Sequence, residues 1–232
     1  MLAGVIFDFD GVLADSEPVH LQVFQDVLDQ IGITLTAEEY YERYLGYSDR
    51  DAFAEVFRDR GVTMDAAEIE ALLERKKGLF PRAIGDHTLY AGAAACVARV
   101  AGRVPIAIAS GALRQEIELI LDRSGLRDRF PVIVAAGETP RSKPAPDPYA
   151  RAFELLRESG ALRAGATPAD VVAIEDSEWG LQAARGAGLR TVAVLTSYQR
   201  DKLPSADAWL PSIADVTLDV LDEVVSRARA TT

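Results

Sequence analysis

Cysteine and histidine are scarce in this chain of 232 residues. Cys96 is the single cysteine, and His20 and His87 are the two histidines. A lone cysteine excludes an internal disulfide, which favours a reducing compartment, and we expect a cytoplasmic protein. With so few nitrogen and sulfur ligands, a Cys/His zinc site is excluded, so any bound metal would need oxygen ligands.

Long apolar runs and an excess of positive charge are also missing. No stretch approaches the roughly 20 apolar residues that cross a bilayer, and no basic segment precedes the first apolar run, as it would in a secretory signal. Lys and Arg number 25 against 36 Asp and Glu, which gives a formal net charge of −11. We therefore expect neither a membrane partner nor a nucleic-acid partner. A monomer or a weak homodimer is expected.

Short apolar runs alternate with amphipathic patterns over most of the chain after residue 88. These runs are rich in β-branched residues, have the length of strands, and follow a similar run near the N-terminus: Val5–Phe7, then Val104–Ala109, Val132–Ala135, Val171–Ile174 and Thr191–Leu195. Strand–helix alternation with fully apolar strands is typical of a parallel sheet covered on both faces. The pattern predicts an α/β fold with a doubly wound, Rossmann-like sheet of about five strands.

The segment 16–86 interrupts this alternation. It contains no convincing buried strand, and its periodicity predicts helices at about 18–31, 37–44, 49–60 and 66–80. Thr36 and Glu39 have the spacing of a capping box. We therefore predict a small α-helical cap domain at 16–86, inserted after the first strand, while residues 1–15 and 87–232 form the α/β core.

Pairs of acidic residues follow two of the predicted strands. Asp8 and Asp10 leave the first strand on the same side, and Gly11 allows a tight turn after them. Glu175 and Asp176 follow the run that ends at residue 174. Neighbouring carboxylates repel each other, and a divalent cation or a shared proton relieves this repulsion. Since ligands of such sheets bind beyond the carboxyl ends of the strands, the pairs predict a cation site there, although a surface acidic turn and an N-cap cluster remain alternatives.

Groups that can bind an anion follow two further predicted strands, Val104–Ala109 and Val132–Ala135. Ser110 and Gly111 offer a hydroxyl and backbone N–H groups, and Lys143 stands in a proline-rich loop. Each group alone is also typical of an ordinary turn or a solvated surface. Because polar groups follow four predicted parallel strands, we expect them to form one site for a cation and an anion.

Four motifs stand at or near these predicted strand ends, in this order: "FDFDGVLADSE", then Ser110, then "KPAPDPY", then "AIEDSEWGLQAARGAGL". These motifs and their order resemble those of the haloacid dehalogenase-like hydrolase superfamily. The helical insertion resembles the cap of the subgroup that contains β-phosphoglucomutase and phosphoglycolate phosphatase, and "DSEPVH", "GYSDRDAF" and "ERKK" are most similar to the β-phosphoglucomutase-like branch. The resemblance thus spans almost the whole chain and implies a HAD-like core with a cap.

This resemblance also implies roles for the residues at the strand ends. Asp8 would be the nucleophile that forms an aspartyl phosphate, and Asp10 the general acid and then the general base. Ser110, Gly111 and Lys143 would bind the transferring phosphoryl oxygens. Mg²⁺ would be the cofactor, with these ligands: the Asp8 carboxylate, the Asp10 backbone carbonyl, Asp176, and Glu175 directly or through water.

The expected activity is Mg²⁺-dependent hydrolysis of a small phosphorylated metabolite, such as a sugar phosphate. A phosphosugar mutase of the β-phosphoglucomutase type is the main alternative, because it forms the same aspartyl phosphate. Two alternatives of another class are a receiver-like phosphoacceptor and a non-catalytic binding protein. A dehalogenase fits poorly, because it needs neither Mg²⁺ nor the second acid at Asp10.

Further basic and histidine side chains are candidates for substrate contacts. In the cap these are His20, Arg50 and Lys76, and in the core Arg114; for each, an ordinary packed or solvated side chain is the alternative. In β-phosphoglucomutase-like sequences an arginine follows the Gly-x-Ser of the cap, whereas Asp49 stands at that position here. This acidic residue weakens a second phosphate site and favours the phosphatase.

Overall fold

A computed structural model of the chain describes residues 1–44, 47–84 and 89–229. The chain divides into two compact units, of which one contains Met1–Asp15 with Asp86–Thr232 and the other contains Ser16–Gly85. The predicted boundary between Asp86 and His87 lies outside the described residues. No helix in the described ranges is long and apolar enough to cross a membrane.

The larger unit is built on a parallel sheet. Within the described part of the chain the sheet has six strands: β1 (Gly4–Phe7), β2 (Ile106–Ala109), β3 (Val132–Val134), β4 (Val171–Glu175), β5 (Arg190–Val194) and β6 (Ala208–Leu210). Their order is β3-β2-β1-β4-β5-β6, and each neighbouring pair is parallel. The predicted α/β fold class is therefore confirmed. The expected number of strands was one too few, because β6 is a short, partly exposed edge strand.

Helices surround this sheet and form the other unit. In the smaller unit they are α1 (Glu17–Asp29), α2 (Ala37–Glu39), α3 (Asp49–Asp59) and α4 (Ala66–Ala83), with a π-helical segment at Tyr40–Tyr44. In the larger unit they are α5 (Ala93–Ala101), α6 (Arg114–Arg123), α7 (Asp147–Glu158), α8 (Glu178–Gly186) and α9 (Leu218–Arg229). Short 3-10 turns occur at Arg127–Arg129, Pro168–Asp170, Arg200–Lys202 and Ile213–Asp215.

The central strand β1 is buried on both faces. Ile6 belongs to a cluster with apolar residues of α7 and α8, whereas the Phe7 ring lies 6.0 Å from that of Phe130. Successive side chains of a strand point to opposite faces, and Val5, Ile6 and Phe7 are all fully buried. This explains why the run contains no alternating polar residue. Asp8, the first charged side chain in the sequence, directly follows the strand.

The smaller unit has an apolar core of its own. Phe24 of α1 and Phe53 of α3 lie at the centre of this core, with their ring centroids 4.3 Å apart. The predicted capping box is confirmed, since the Glu39 N–H donates to Thr36 Oγ1 at 3.1 Å and the Glu39 carboxylate accepts from the Thr36 N–H. The predicted helix over 37–44 is present, but it changes from α-helical at Ala37–Glu39 to π-helical at Tyr40–Tyr44.

Candidate active site

The predicted site residues of the core follow the carboxyl ends of neighbouring strands. Asp8 follows β1, Ser110 follows β2, and Asp176 follows β4, while Lys143 lies in the loop between β3 and α7. The Asp8 N–H donates to the carbonyl of Ile174 at 2.9 Å, which continues the β1–β4 pairing beyond the end of β1. This hydrogen bond holds the backbone at Asp8 beside the residues that precede Glu175 and Asp176.

A buried acidic cluster forms where β1 and β4 end. Asp8, Glu175 and Asp176 are all buried, and one carboxylate oxygen from each lies within 4.8 Å of the others. Burial raises the pKa of Asp8 to about 7; Glu175 adds to the rise, while Lys143 opposes it. Burial, followed by Glu175 and Asp8, also raises the pKa of Asp176 well above its ordinary value. Without a cation, full ionisation of the three carboxyl groups is therefore unfavourable.

Lys143 lies inside this cluster. Its Nζ is 2.9 Å from Oδ1 of Asp8 and 2.6 Å from Oε1 of Glu175, and it lies 5.0 Å from the centre of the Tyr149 ring. Burial by itself lowers the pKa of Lys143, but the two carboxylates outweigh this effect and raise it. The ammonium is therefore charged, and it offsets part of the negative charge of the cluster.

Both oxygens of Glu175 accept hydrogen bonds. Oε1 accepts from Lys143 and, at 2.7 Å, from the buried Tyr149 hydroxyl. Oε2 accepts from the N–H groups of Asp176 and Ser177 at 3.2 and 3.3 Å, and from the Ser177 hydroxyl at 3.0 Å. Glu175 is thus held in one orientation, from which it presents a fixed acceptor to the lysine.

The turn after β1 packs closely against Asp176. Gly11 has a φ of +77°, and a Cβ there would lie 1.9 Å from Oδ2 of Asp176. Only glycine meets both requirements, as expected for this position. Asp10 is partly exposed at the start of the same turn. Two hydroxyls from the loop after β5 also reach this region: that of Thr196 donates to the Gly11 carbonyl, and that of Ser197 donates to Oδ2 of Asp176.

At the end of β2 the structure brings Ser110 and Gly111 to the same edge of the sheet. The Ser110 N–H donates to the Val134 carbonyl at 2.9 Å, and its Oγ accepts from the Ala112 N–H at 3.0 Å. Because that oxygen already accepts a hydrogen bond, the hydroxyl proton is the group that can be offered to an anion. Gly111 is exposed, and a Cβ added to it would meet no atom within 4 Å.

Two of the predicted cap residues lie together in the smaller unit. Lys76 is fully buried, with its Nζ 2.5 Å from Oδ1 of Asp49 and 2.8 Å from Nδ1 of His20. Burial, together with the Lys76 ammonium, lowers the pKa of His20 to about 3. The imidazole is therefore neutral at ordinary pH, and its Nδ1 accepts a hydrogen bond from the ammonium.

The two arginines proposed from the sequence lie elsewhere. Arg50 is exposed and pairs with Glu70. Arg114 belongs to the core, where its Nε is 2.5 Å from Oε1 of Glu138 and its Nη1 is 3.3 Å from Oε1 of Glu118. Both guanidinium groups thus form ion pairs in this structure, and a role for either in substrate binding stays a prediction.

The residues that support the cluster from outside were missed by reasoning from the sequence. Tyr149 falls within the motif "KPAPDPY", but nothing in the motif indicates that its hydroxyl binds Glu175. Thr196 and Ser197 belong to no pattern that we recognised. Their contacts with Gly11 and Asp176 depend on strand order, because 185 and 21 positions separate the partners along the chain.

Comparison with known proteins identifies the family to which this arrangement belongs. The family model of the haloacid dehalogenase-like hydrolases matches residues 2–188. The chain belongs to this family. The prediction of a hydrolase from this superfamily, made from four ordered motifs, is therefore confirmed.

Three similar proteins carry names that describe an activity or a ligand. The chain is 31% identical to fructose-1-phosphate phosphatase YqaB of Escherichia coli, over 83% of this chain and 96% of that protein. It is 28% identical to the β-phosphoglucomutase of Bacillus subtilis, over 96% of this chain and 95% of that protein. A crystal structure of a CbbY variant from Rhodobacter sphaeroides in complex with xylulose-(1,5)bisphosphate superposes with a TM-score of 0.82, at 29% identity, over 95% of this chain and 99% of that chain.

Proposed function

We propose that this haloacid dehalogenase-like hydrolase is a Mg²⁺-dependent phosphatase of small phosphorylated metabolites. The observation that supports it best is the buried cluster of Asp8, Glu175 and Asp176 around the Lys143 ammonium. When all three carboxyl groups are ionised, the cluster and the ammonium together carry a net charge of −2, which a divalent cation neutralises. The donors are oxygen atoms, which Mg²⁺ prefers.

Each residue of the cluster has a role in this proposal. Asp8, Asp176 and the Asp10 backbone carbonyl would hold the cation, with Glu175 in support. When bound, Mg²⁺ would supply the positive charge that lets an anionic carboxylate approach an anionic phosphate. Lys143 would hold a transferring phosphoryl oxygen while it remains hydrogen-bonded to Glu175.

The reaction proceeds in two displacements. The Asp8 carboxylate attacks phosphorus, the ester P–O bond breaks, and the carboxylic acid of Asp10 gives its proton to the leaving oxygen. In the second displacement the Asp10 carboxylate takes a proton from water as the water oxygen attacks the aspartyl phosphate. The bond from Asp8 to phosphorus then breaks, and inorganic phosphate leaves. Ser110 and Lys143 hold the phosphoryl oxygens during both displacements.

Contacts within the cap favour hydrolysis over transfer of the phosphoryl group back to the sugar. A mutase binds a phosphorylated sugar in two orientations, so it needs a second, permanent site for a phosphate group. In this chain the buried Lys76 ammonium is already paired with Asp49, and a second phosphate would have to displace that carboxylate. A role for His20, Arg50 and Lys76 in contacting the substrate stays a prediction.

The test is a phosphate-release panel with Mg²⁺ over sugar phosphates, phosphoglycolate and nucleotides. A coupled assay for conversion of β-glucose 1-phosphate to glucose 6-phosphate, with a bisphosphate activator, is run on the same preparation. Asp8→Asn serves as the control for a contaminating phosphatase. We expect phosphate release without appreciable isomerisation, and turnover of many substrate molecules per enzyme rules out a receiver-like phosphoacceptor.

The outcomes separate the alternatives. Isomerisation faster than phosphate release would establish the mutase. A wild-type protein that binds sugar phosphates but releases no phosphate would be a binding protein, and release that is equal in Asp8→Asn would trace the activity to another enzyme.

A further inference from the structure

Two consecutive hydroxyls follow the strand β5, which contributes no residue to the four motifs. The Thr196 hydroxyl donates to the carbonyl of Gly11, and the Ser197 hydroxyl donates to Oδ2 of Asp176. One dipeptide therefore binds the turn after β1 and the acidic residue after β4. These are the two segments that supply the carboxylates of the cluster.

The contacts restrict Asp176 more than a hydrogen bond on an open surface would. Oδ2 lies so close to the Gly11 backbone that a Cβ on Gly11 would be 1.9 Å away. This oxygen is thus confined between the turn and the Ser197 hydroxyl. Oδ1 is the remaining oxygen of a side chain that belongs to the buried cluster with Asp8. The carboxylate is therefore held with one oxygen occupied and the other left for a ligand.

We propose that Ser197 is a positioning residue that orients Asp176 for the cation, with Thr196 fixing the neighbouring turn. The proposal rests on the proposed function, because it assumes that the acidic cluster binds Mg²⁺. Hydrogen-bond partners behind a metal ligand fix its orientation, and their loss typically weakens metal affinity by about 10- to 100-fold. Ser197 acts through Asp176 and touches no reacting atom.

The experiment is calorimetric titration of the full-length, metal-free protein with MgCl₂. Ser197→Ala is expected to weaken Mg²⁺ binding by about 10- to 100-fold. Ser197→Thr keeps the hydroxyl and is expected to restore most of the affinity. Ser205→Ala is the matched control, because the Ser205 hydroxyl donates to Glu178, which is not part of the acidic cluster; its affinity should equal that of the wild type.

Thermal unfolding without metal distinguishes positioning from general support of the fold. We expect Ser197→Ala and Ser205→Ala to melt at similar temperatures in chelator, while at the same Mg²⁺ concentration only Ser197→Ala is stabilised less than the wild type. If Ser197→Ala does not fold, Ser197→Cys keeps the size with a weaker donor, and reduced affinity is expected there too. Affinity within twofold of the wild type in the folded variant would overturn the role of Ser197. A wild-type protein that does not bind Mg²⁺ would instead overturn the proposed function.

Discussion

Asp8 places a carboxyl group where burial opposes its negative charge. If this carboxylate attacks phosphorus, Asp8→Asn keeps its shape and removes the negative charge that makes its oxygen a nucleophile. We expect phosphate release to fall by at least ~10³-fold. Circular dichroism and thermal unfolding check that the variant is folded, and a folded variant with more than about a tenth of wild-type activity would falsify the assignment of Asp8 as nucleophile.

The same residue predicts how stability depends on pH. Its pKa is about 7 in the folded protein, against 3.8 for an unperturbed carboxyl group. Between these values the folded state keeps a proton that the unfolded state loses, so the contribution of Asp8 to stability decreases as pH rises. Asp8→Asn lacks this titration. In chelator, its free energy of unfolding should therefore increase relative to the wild type from about pH 4 to about pH 7.

Urea unfolding of the two proteins across this pH window measures the difference directly. The other carboxyl groups are common to both proteins and largely cancel in the comparison, although the neighbouring Asp176 is coupled to Asp8. A difference that is constant with pH would mean that Asp8 titrates near its ordinary value.

Among the elements, α3 and α4 are joined by an ion pair whose partners differ in burial. The Lys76 side chain is 1% exposed and that of Asp49 is 25% exposed. Asp49→Ala leaves the buried ammonium without its carboxylate, and we expect it to reduce the free energy of unfolding by about 3 kcal/mol, near the lower bound for a buried pair. The double variant Asp49→Leu with Lys76→Met removes both charges and should recover most of this loss. Urea unfolding measures both.

An exposed pair on the same helices provides the control. Arg50 of α3 pairs with Glu70 of α4, with about half of each side chain exposed. Exposed ion pairs contribute about 0–1 kcal/mol, so Arg50→Ala should change the free energy of unfolding much less than Asp49→Ala. Equal losses in the two single variants would mean that burial of Lys76 does not determine the cost.

The elements that the sequence predicts are those whose pattern is local. Val5–Phe7 is an uninterrupted apolar run, and the β-branched runs after residue 100 became strands because both of their faces are covered. The edge strand β6 gave no such signal, since Ala208–Leu210 is short and partly exposed. The helix α9 was not singled out either. In the π-helical segment, the Tyr40 and Tyr44 hydroxyls donate to Glu17 and Asp59, which are distant along the chain.

The site residues likewise divide into those that a local sequence pattern indicates and those that it does not. Asp8, Asp10 and Asp176 could be proposed because acidic residues stand directly after apolar runs. Tyr149 and Ser197 could not, because a hydroxyl becomes informative only when its acceptor is known. Those acceptors, Glu175 and Asp176, lie 26 and 21 positions away along the chain. Lys76 illustrates a third case, in which the residue was identified but its pairing with Asp49 was not.

For the whole molecule, the acidic cluster predicts that metal binding and folding are coupled. A cation that binds only the folded state, at ~100 times its dissociation constant, adds about 2.7 kcal/mol to the free energy of unfolding. For a protein of this size we expect Mg²⁺ to raise the melting temperature by roughly 5–10 °C. Chelator should abolish both this increase and the phosphatase activity, and added Mg²⁺ should restore them. Differential scanning fluorimetry at constant ionic strength measures the shift, and identical melting curves in chelator and in Mg²⁺ would contradict the site.

The central position of β1 in the sheet has a consequence for synthesis on the ribosome. Its neighbours begin at residues 106 and 171, so β1 is made long before either of them. At a synthesis rate of about 5–20 residues per second, one edge of this apolar strand stays unpaired for roughly 10–30 s, until β4 has been synthesised. Residues 1–7 carry no charged side chain, and Asp8 and Asp10 directly follow this unpaired, aggregation-prone segment. Charges that flank such a segment oppose its association with other chains. We therefore expect Asp8 and Asp10 to oppose association of the nascent chain as well.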